Sequence, residues 1–154
     1  MLSEEIKPGI HFHYLTRNFS LRERGRLKGF ILKLVKSEKR QIRSVNVIFC
    51  LDRFLLEINK THLKHNSYTD IVTFPYSAKE EPIVADIYIS IERVRENAAI
   101  FGATFREELH RVIFHGFLHL CGLADKTTRQ AQQMRSRENH YLHQYFVPRG
   151  TGKL

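Results

Sequence analysis

HGFLHLCGLAD, residues 115–125, is the stretch from which the rest of the chain is read. His115 and His119 are four apart, so on a helix their imidazoles share one face, one turn apart. Two imidazoles that close can grip one divalent ion, which normally wants a third protein ligand. Gly122 offers a left-handed stop that turns the chain back toward the same face. Asp125 follows three residues later with a carboxylate oxygen. H-x-x-x-H-x-x-G-x-x-D is the spacing of metzincin-type zinc sites with one loss: Gly116 stands where those sites carry a glutamate base. Two unrelated histidines are the simpler alternative. Against it stand Val112, Ile113, Phe114, Phe117, Leu118 and Leu120, which make a buried helix on which a histidine pair must find partners. His115, His119 and Asp125 are therefore the expected ligands of one zinc ion per chain, and the expected catalytic residues.

Working outward, Thr104 with Glu107 forms a capping box that opens the histidine helix. Before it, IVADIYISIE (83–92) reads as a strand with Ile87, Ile89 and Ile91 on one face, and RVRENAAIFG (93–102) as a helix ending at Gly102. TDIVTFPY (69–76) reads as a strand closed by Pro75, and SVNVIFCL (44–51), β-branched and aromatic, as another. Asp52 is expected to cap a short helix that buries Phe54, Leu55 and Ile58. GIHFHYL (9–15) alternates as a strand, Ile10, Phe12 and Tyr14 against His11 and His13. Ser20 with Glu23 predicts a capping box for a helix over 21–37, with Leu27, Phe30, Ile31, Leu34 and Val35 as its buried stripe. Residues 127–146 predict a polar final helix before a short basic tail. His110, His140 and His143 are out of register with the 115/119 pair and are expected at the surface. The order β α β α β β α α α predicts an α+β fold: a small mixed β-sheet with helices packed on it, the metzincin-like metal helix against one face. One domain over 1–154 is expected.

Composition narrows the function. The 154 residues are 42% hydrophobic, enough for a core, and no apolar run reaches the ~20 residues of a membrane helix. The opening MLSEEIKPGI has no basic region followed by an apolar one, so no signal peptide is expected. Cys50 and Cys121 read as small core residues of a reducing compartment, by default the cytoplasm. A formal charge of +9 points to an anionic partner. Residues 1–60 carry 13 Lys and Arg against 6 Asp and Glu, residues 61–110 carry 5 against 8, and residues 111–154 carry 7 against 2. Nucleic acid is favoured over membrane, because no helix joins a basic face to a large bare apolar one. Arg22, Arg24, Arg26 and Lys28 can track a phosphate backbone, with Lys64, Lys126, Arg135 and Arg137 as further candidates. Tyr68, Phe74 and Tyr76 are placed to stack on bases or, more simply, to pack in the core. Asp70 and Asp86, near strand ends, are read as structural.

Three motifs in order then resemble one family. TDIVTFP resembles the T-D-V-L-S-F-P strand, ADIYIS the G-D-I-x-I-S strand, and HGFLHLCGLAD the H-G-x-L-H-L-x-G signature of the YbeY rRNA-maturation endoribonucleases. The resemblance covers about residues 45–125. It implies a zinc-dependent single-strand endoribonuclease acting in rRNA processing with the small ribosomal subunit, notably at the 3′ end of its RNA. Two departures stand out. The family commonly ends its signature Y-D-H, where this chain has Leu123-Ala124-Asp125, so Asp125 takes the third histidine's place. The family's arginine, counted from Asn59, falls on Leu63, leaving Lys60, Lys64 or another basic residue to supply the cation. Two imidazoles and one carboxylate lower the charge of a zinc centre from +2 to +1, so it is a weaker Lewis acid than an all-histidine one. Water and the substrate's own 2′-hydroxyl both stay open as nucleophile. The competing classes are a non-catalytic RNA-binding assembly factor with a structural metal, and a zinc peptidase, whose base would have to come from Glu107 or Glu108, about two turns from His115.

Overall fold

Alternation along four strands sorts their apolar side chains onto one face of one sheet, and the helices that carry the site lie against that face. The computed structural model describes residues 7–62 and 69–147. The elements run β1 (Gly9–Tyr14), α1 (Arg24–Ser37), β2 (Ile42–Cys50), α2 (Asp52–His62), β3 (Ile71–Pro75), β4 (Ile83–Ser90), α3 (Ile91–Phe101), α4 (Phe105–Leu120) and α5 (Thr128–Phe146). This is the order expected from the periodicities. The sheet runs β1-β2-β4-β3, with β1, β2 and β4 parallel and β3 antiparallel to β4. The fold is α+β.

Val45, Val47 and Phe49 of β2 and Ile83, Ala85, Ile87 and Ile89 of β4 are buried in the main core with Leu27, Ile31, Leu34 and Val35 of α1. Val112, Ile113, Phe114, Phe117 and Leu118 of α4 join them. On the opposite face a second small cluster, Cys50, Leu55 and Val72, is covered by α2. Position 116 sets how closely α4 lies on the sheet. A Cβ there would stand 2.8 Å from Ile71 Cδ1 and 3.4 Å from Ile87 Cδ1, so position 116 faces β3 and β4 at close range and a side chain there must displace the end of Ile71. Among the described residues no helix is long and apolar enough to cross a membrane.

Several expectations need correction. The predicted box of Ser20 and Glu23 does not form: α1 begins at Arg24, and Glu23 is left-handed (φ 55°) with no side-chain cap. Its carboxylate instead takes Arg26 at 3.3 Å and Arg106 at 3.1 Å, while Leu21 is drawn into the core. Arg22 therefore precedes the helix. Ile91 leaves the strand face and opens α3, because Ser90 caps that helix by accepting from the Arg93 N–H. Asp52 is the first residue of α2, and its carboxylate goes to Ser90 Oγ and the Arg93 guanidinium. Phe54, expected inside, is exposed at the rim, its ring 6.0 Å from that of Tyr88. Asp86 lies within β4, not at its end, and accepts from Asn46 Nδ2 (3.0 Å) and the Tyr76 hydroxyl (3.0 Å). Asn59 and Lys60 belong to α2; Leu63, Lys64 and Tyr68 lie outside the described residues.

His110 is the largest correction. It is 3% exposed, stacked on Tyr145 at 5.1 Å, and donates from Nδ1 to the Arg106 carbonyl at 2.7 Å. Burial pushes its pKa from 6.5 down to about 4. The folded protein thus refuses a proton that the unfolded chain accepts near pH 6.5, so stability is full above that pH and drains away as pH falls toward 4. At ~1.4 kcal/mol per unit the loss reaches about 3 kcal/mol. His110→Phe keeps the ring stack and should flatten the acid limb of a urea-midpoint-versus-pH curve. Parallel curves for the two proteins would assign the acid sensitivity to other groups.

Candidate active site

Helix α4 positions the site. Thr104 caps it by accepting from the Glu107 N–H at 3.0 Å, which is the N-cap half of the expected capping box. Its sheet-facing residues bury it, which leaves His115 half-buried and His119 exposed along the opposite edge. The two rings are nearly parallel (7°), with centroids 6.4 Å apart. At the helix end Gly122 adopts φ 109°, and Leu123 returns its N–H to the Leu118 carbonyl at 3.1 Å. This reversal has two consequences. The Leu123 carbonyl accepts from His119 Nδ1 at 3.1 Å, and Asp125 comes back to the helix, its Oδ2 3.3 Å from His115 Nε2.

His115 is also held from behind. Its Nδ1 donates to Glu138 Oε2 of α5 at 2.7 Å, and Arg111 meets the other Glu138 oxygen at 3.0 Å while donating to Asn139 Oδ1 at 2.8 Å. Burial would lower the His115 pKa, but the Glu138 bond and charge, then Asp125 and Asp70, outweigh it and raise it. Asp70, just before β3, has its carboxyl raised by burial and accepts from Asn97 Nδ2 at 3.3 Å. Glu108, buried one helical turn before Arg111, is likewise raised by burial, with Arg111 opposing.

Carbonyl and carboxylate oxygens can only accept, so Nδ1 of both histidines carries a proton. A neutral ring then keeps its lone pair on Nε2, the metal-binding form. The donor chemistry of His115, His119 and Asp125 therefore suits zinc. As placed, His115 and Asp125 are in contact with each other, and among the described residues no three His, Cys, Asp or Glu side chains are grouped to hold a metal ion. Cys121 ends the helix, and burial pushes its thiol up to about 12, which disfavours the thiolate a metal would need.

Among the described residues, the proposed RNA contacts divide between the α1 region and the neighbourhood of this centre. Arg22 and Arg24 are exposed, but Arg26 lies over the Tyr145 ring at 4.0 Å and donates to the Tyr145 carbonyl, and Lys28 sits over Phe12 at 5.6 Å. Arg26 also shares Glu23 with Arg106, which is nine residues before His115, or about 14 Å of helix. Lys126 is exposed beside Asp125. Arg137 is bound to Glu38, and Arg135 stands 3.9 Å from Glu138. Phe74 packs edge-on against Tyr88 at 5.9 Å, as a core aromatic does, whereas Tyr76 is exposed.

Glu138 was legible in principle. It falls between Met134 and Leu142 at helical spacing, on a stripe with Tyr141 and Tyr145 that is buried throughout. An acid on such a stripe needs a cation or an imidazole. The polar look of the helix as a whole hid it.

The model of the family described as Endoribonuclease YbeY matches residues 17–146. The chain is similar to proteins named Endoribonuclease YbeY from Flavobacterium psychrophilum, 44% identical over 138 residues (90% of this chain, 97% of the relative), and from Cytophaga hutchinsonii, 42% identical over 133 residues (86% and 93%). It also resembles the solution structure of TM1509 from Thermotoga maritima, with TM-score 0.61, 26% identity and 89% of each chain covered. With four strands and five helices among the described residues in the expected order and the family model spanning most of its length, the chain belongs to the YbeY endoribonuclease family.

Proposed function

We propose that this chain is a zinc-dependent endoribonuclease that cuts single-stranded RNA in the cytoplasm, maturing the 3′ end of small-subunit rRNA in company with the small ribosomal subunit. Family membership supports the endoribonuclease reading. The metal reading is carried by one observation: both imidazoles of the α4 pair spend Nδ1 on fixed acceptors, and Nε2 of His115 faces Asp125, the third expected ligand. Zinc held by His115, His119 and Asp125 supplies Lewis acidity toward a phosphoryl oxygen and a water whose pKa falls toward ~7.

The chain's own residues divide the remaining work. His115 and His119 supply imidazoles oriented through Nδ1, and Asp125 trims the charge of the centre from +2 to +1. Gly116 faces the sheet and offers no base beside His115. Lys126, exposed beside Asp125, is placed to meet a substrate phosphate.

Metal-titrated cleavage of a single-stranded RNA, with casein as control, tests the reading. RNA should be cut in proportion to bound zinc and casein left whole. Asp125→Asn should weaken zinc binding about 10-fold or more, whereas Asp125→His should keep the metal and raise activity by restoring the +2 centre. If Asp125→Ala retains full metal and full cleavage, Asp125 is not a ligand. Metal-independent cleavage would remove zinc from the mechanism.

RNA affinity should be largely electrostatic. Neutralising Arg22, Arg24 and Arg26 together should flatten the log–log salt dependence of single-strand binding by up to about 2, at ~0.7 per phosphate contact. Arg26 should contribute least, since Glu23 and Tyr145 already hold it. An unchanged slope would move the RNA path off α1.

A further inference from the structure

Each residue assigned above to the metal comes from α4 and its reversal, yet the firmest hydrogen bond at the centre comes from α5. We propose that Glu138 is the positioning residue of His115, fixing its ring with Nε2 turned to Asp125, and that Arg111 holds Glu138 for this task. The proposal rests on the metal-centre reading above and deepens it.

Three observations carry it. First, both Glu138 oxygens are committed: Oε2 accepts from His115 Nδ1 at 2.7 Å, and Oε1 meets Arg111 at 3.0 Å. The carboxylate, its side chain only 6% exposed, thus has a guanidinium on one oxygen and an N–H donor on the other. Second, Arg111 is one turn before His115 on α4 and spans two successive residues of α5, Glu138 and Asn139. The fork fixes α5 in rotation and in translation, and with it the carboxylate. Third, the two imidazoles are held unequally. His119 leans on a neutral carbonyl, that of Leu123, whereas His115 leans on an anion. A carboxylate behind an imidazole sets the tautomer and makes Nε2 a stronger donor. Glu138 thus strengthens the same histidine whose Nε2 faces Asp125.

A simple pin between α4 and α5 would use the same contacts but would not govern the His115 ring nitrogens. The test compares the full-length wild type with Glu138→Ala, Glu138→Gln and His115→Ala. Zinc affinity is read by competition with a chromophoric chelator. The ring tautomers are read by ¹⁵N NMR on the zinc-free protein, at a pH alkaline enough for neutral imidazoles. Glu138→Ala should weaken zinc about 10- to 100-fold and convert His115 from the Nδ1–H to the Nε2–H form, with His119 unchanged. Glu138→Gln retains an acceptor and should recover part of both.

If Glu138→Ala folds and binds zinc like the wild type while His115→Ala has lost it, Glu138 is only a pin and the proposal fails. If His115→Ala also keeps its zinc, the metal reading itself fails. The tautomer then decides alone: conversion in Glu138→Ala supports positioning, and an unchanged Nδ1–H form overturns it. Should Glu138→Ala not fold, Glu138→Gln decides by zinc affinity: several-fold weaker binding supports the proposal and native affinity overturns it.

Discussion

Purified His119→Ala protein is expected to carry almost no zinc and to lose RNA cleavage by at least about 100-fold, since removal of a direct ligand costs no less than the loss of its hydrogen-bonded support. His119 is the exposed member of the pair, and its ring is held through the Leu123 carbonyl. The substitution should therefore leave the core intact, and thermal unfolding of the zinc-free forms should differ little. That separates a ligand from a packing residue: zinc and cleavage fall together while the zinc-free melting temperature stays. Equal zinc by elemental analysis in mutant and wild type would show that the assigned centre is wrong. Loss of cleavage with zinc retained would instead make His119 a substrate contact.

The parts of this molecule that were legible in its sequence are those governed by local rules. Alternation in GIHFHY and IVADIYIS marked the strands, the Thr104 cap opened α4, and Gly122 announced the turn that brings Asp125 back. Where tertiary contacts compete with local ones, the local rule lost. Ser20 and Glu23 have the spacing of a capping box, but Arg26 and Arg106 claim the Glu23 carboxylate. His110 has the Arg106 carbonyl and the Phe114 ring beside it in its own helix, but it looks superficial until Tyr145 and Phe146 arrive from α5 to enclose it. The same helix supplies Glu138 to His115 across 23 positions of sequence. Spacing within one helix can predict that two histidines face the same way. It cannot say which distant acid will stand behind one of them.

Gly116 shows how a residue read as a chemical loss is first a position in the packing. In the sequence it occupies the place of a glutamate base, and its lack of a side chain looks like a missing function. In the fold the position points at the sheet, toward Ile71 and Ile87. Gly116→Ala adds one methyl group whose nearest obstacle is the free end of the Ile71 side chain. Helix propensity favours Ala by ~1 kcal/mol and crowding opposes it by a similar amount, so stability should change by less than about 1 kcal/mol. Gly116→Glu is a different matter, because its carboxylate would be driven between α4 and the apolar Ile71 and Ile87 side chains of β3 and β4. The cost of an unpaired buried charge is several kcal/mol, against a total stability of about 5–15 kcal/mol for a domain. The variant should be largely unfolded at 37 °C and should gain no peptidase activity, with circular dichroism and casein hydrolysis as the readouts. If it folds with a native melting temperature and cleaves casein in the presence of zinc, position 116 faces the metal, and the packing of α4 on the sheet is not what the structure describes.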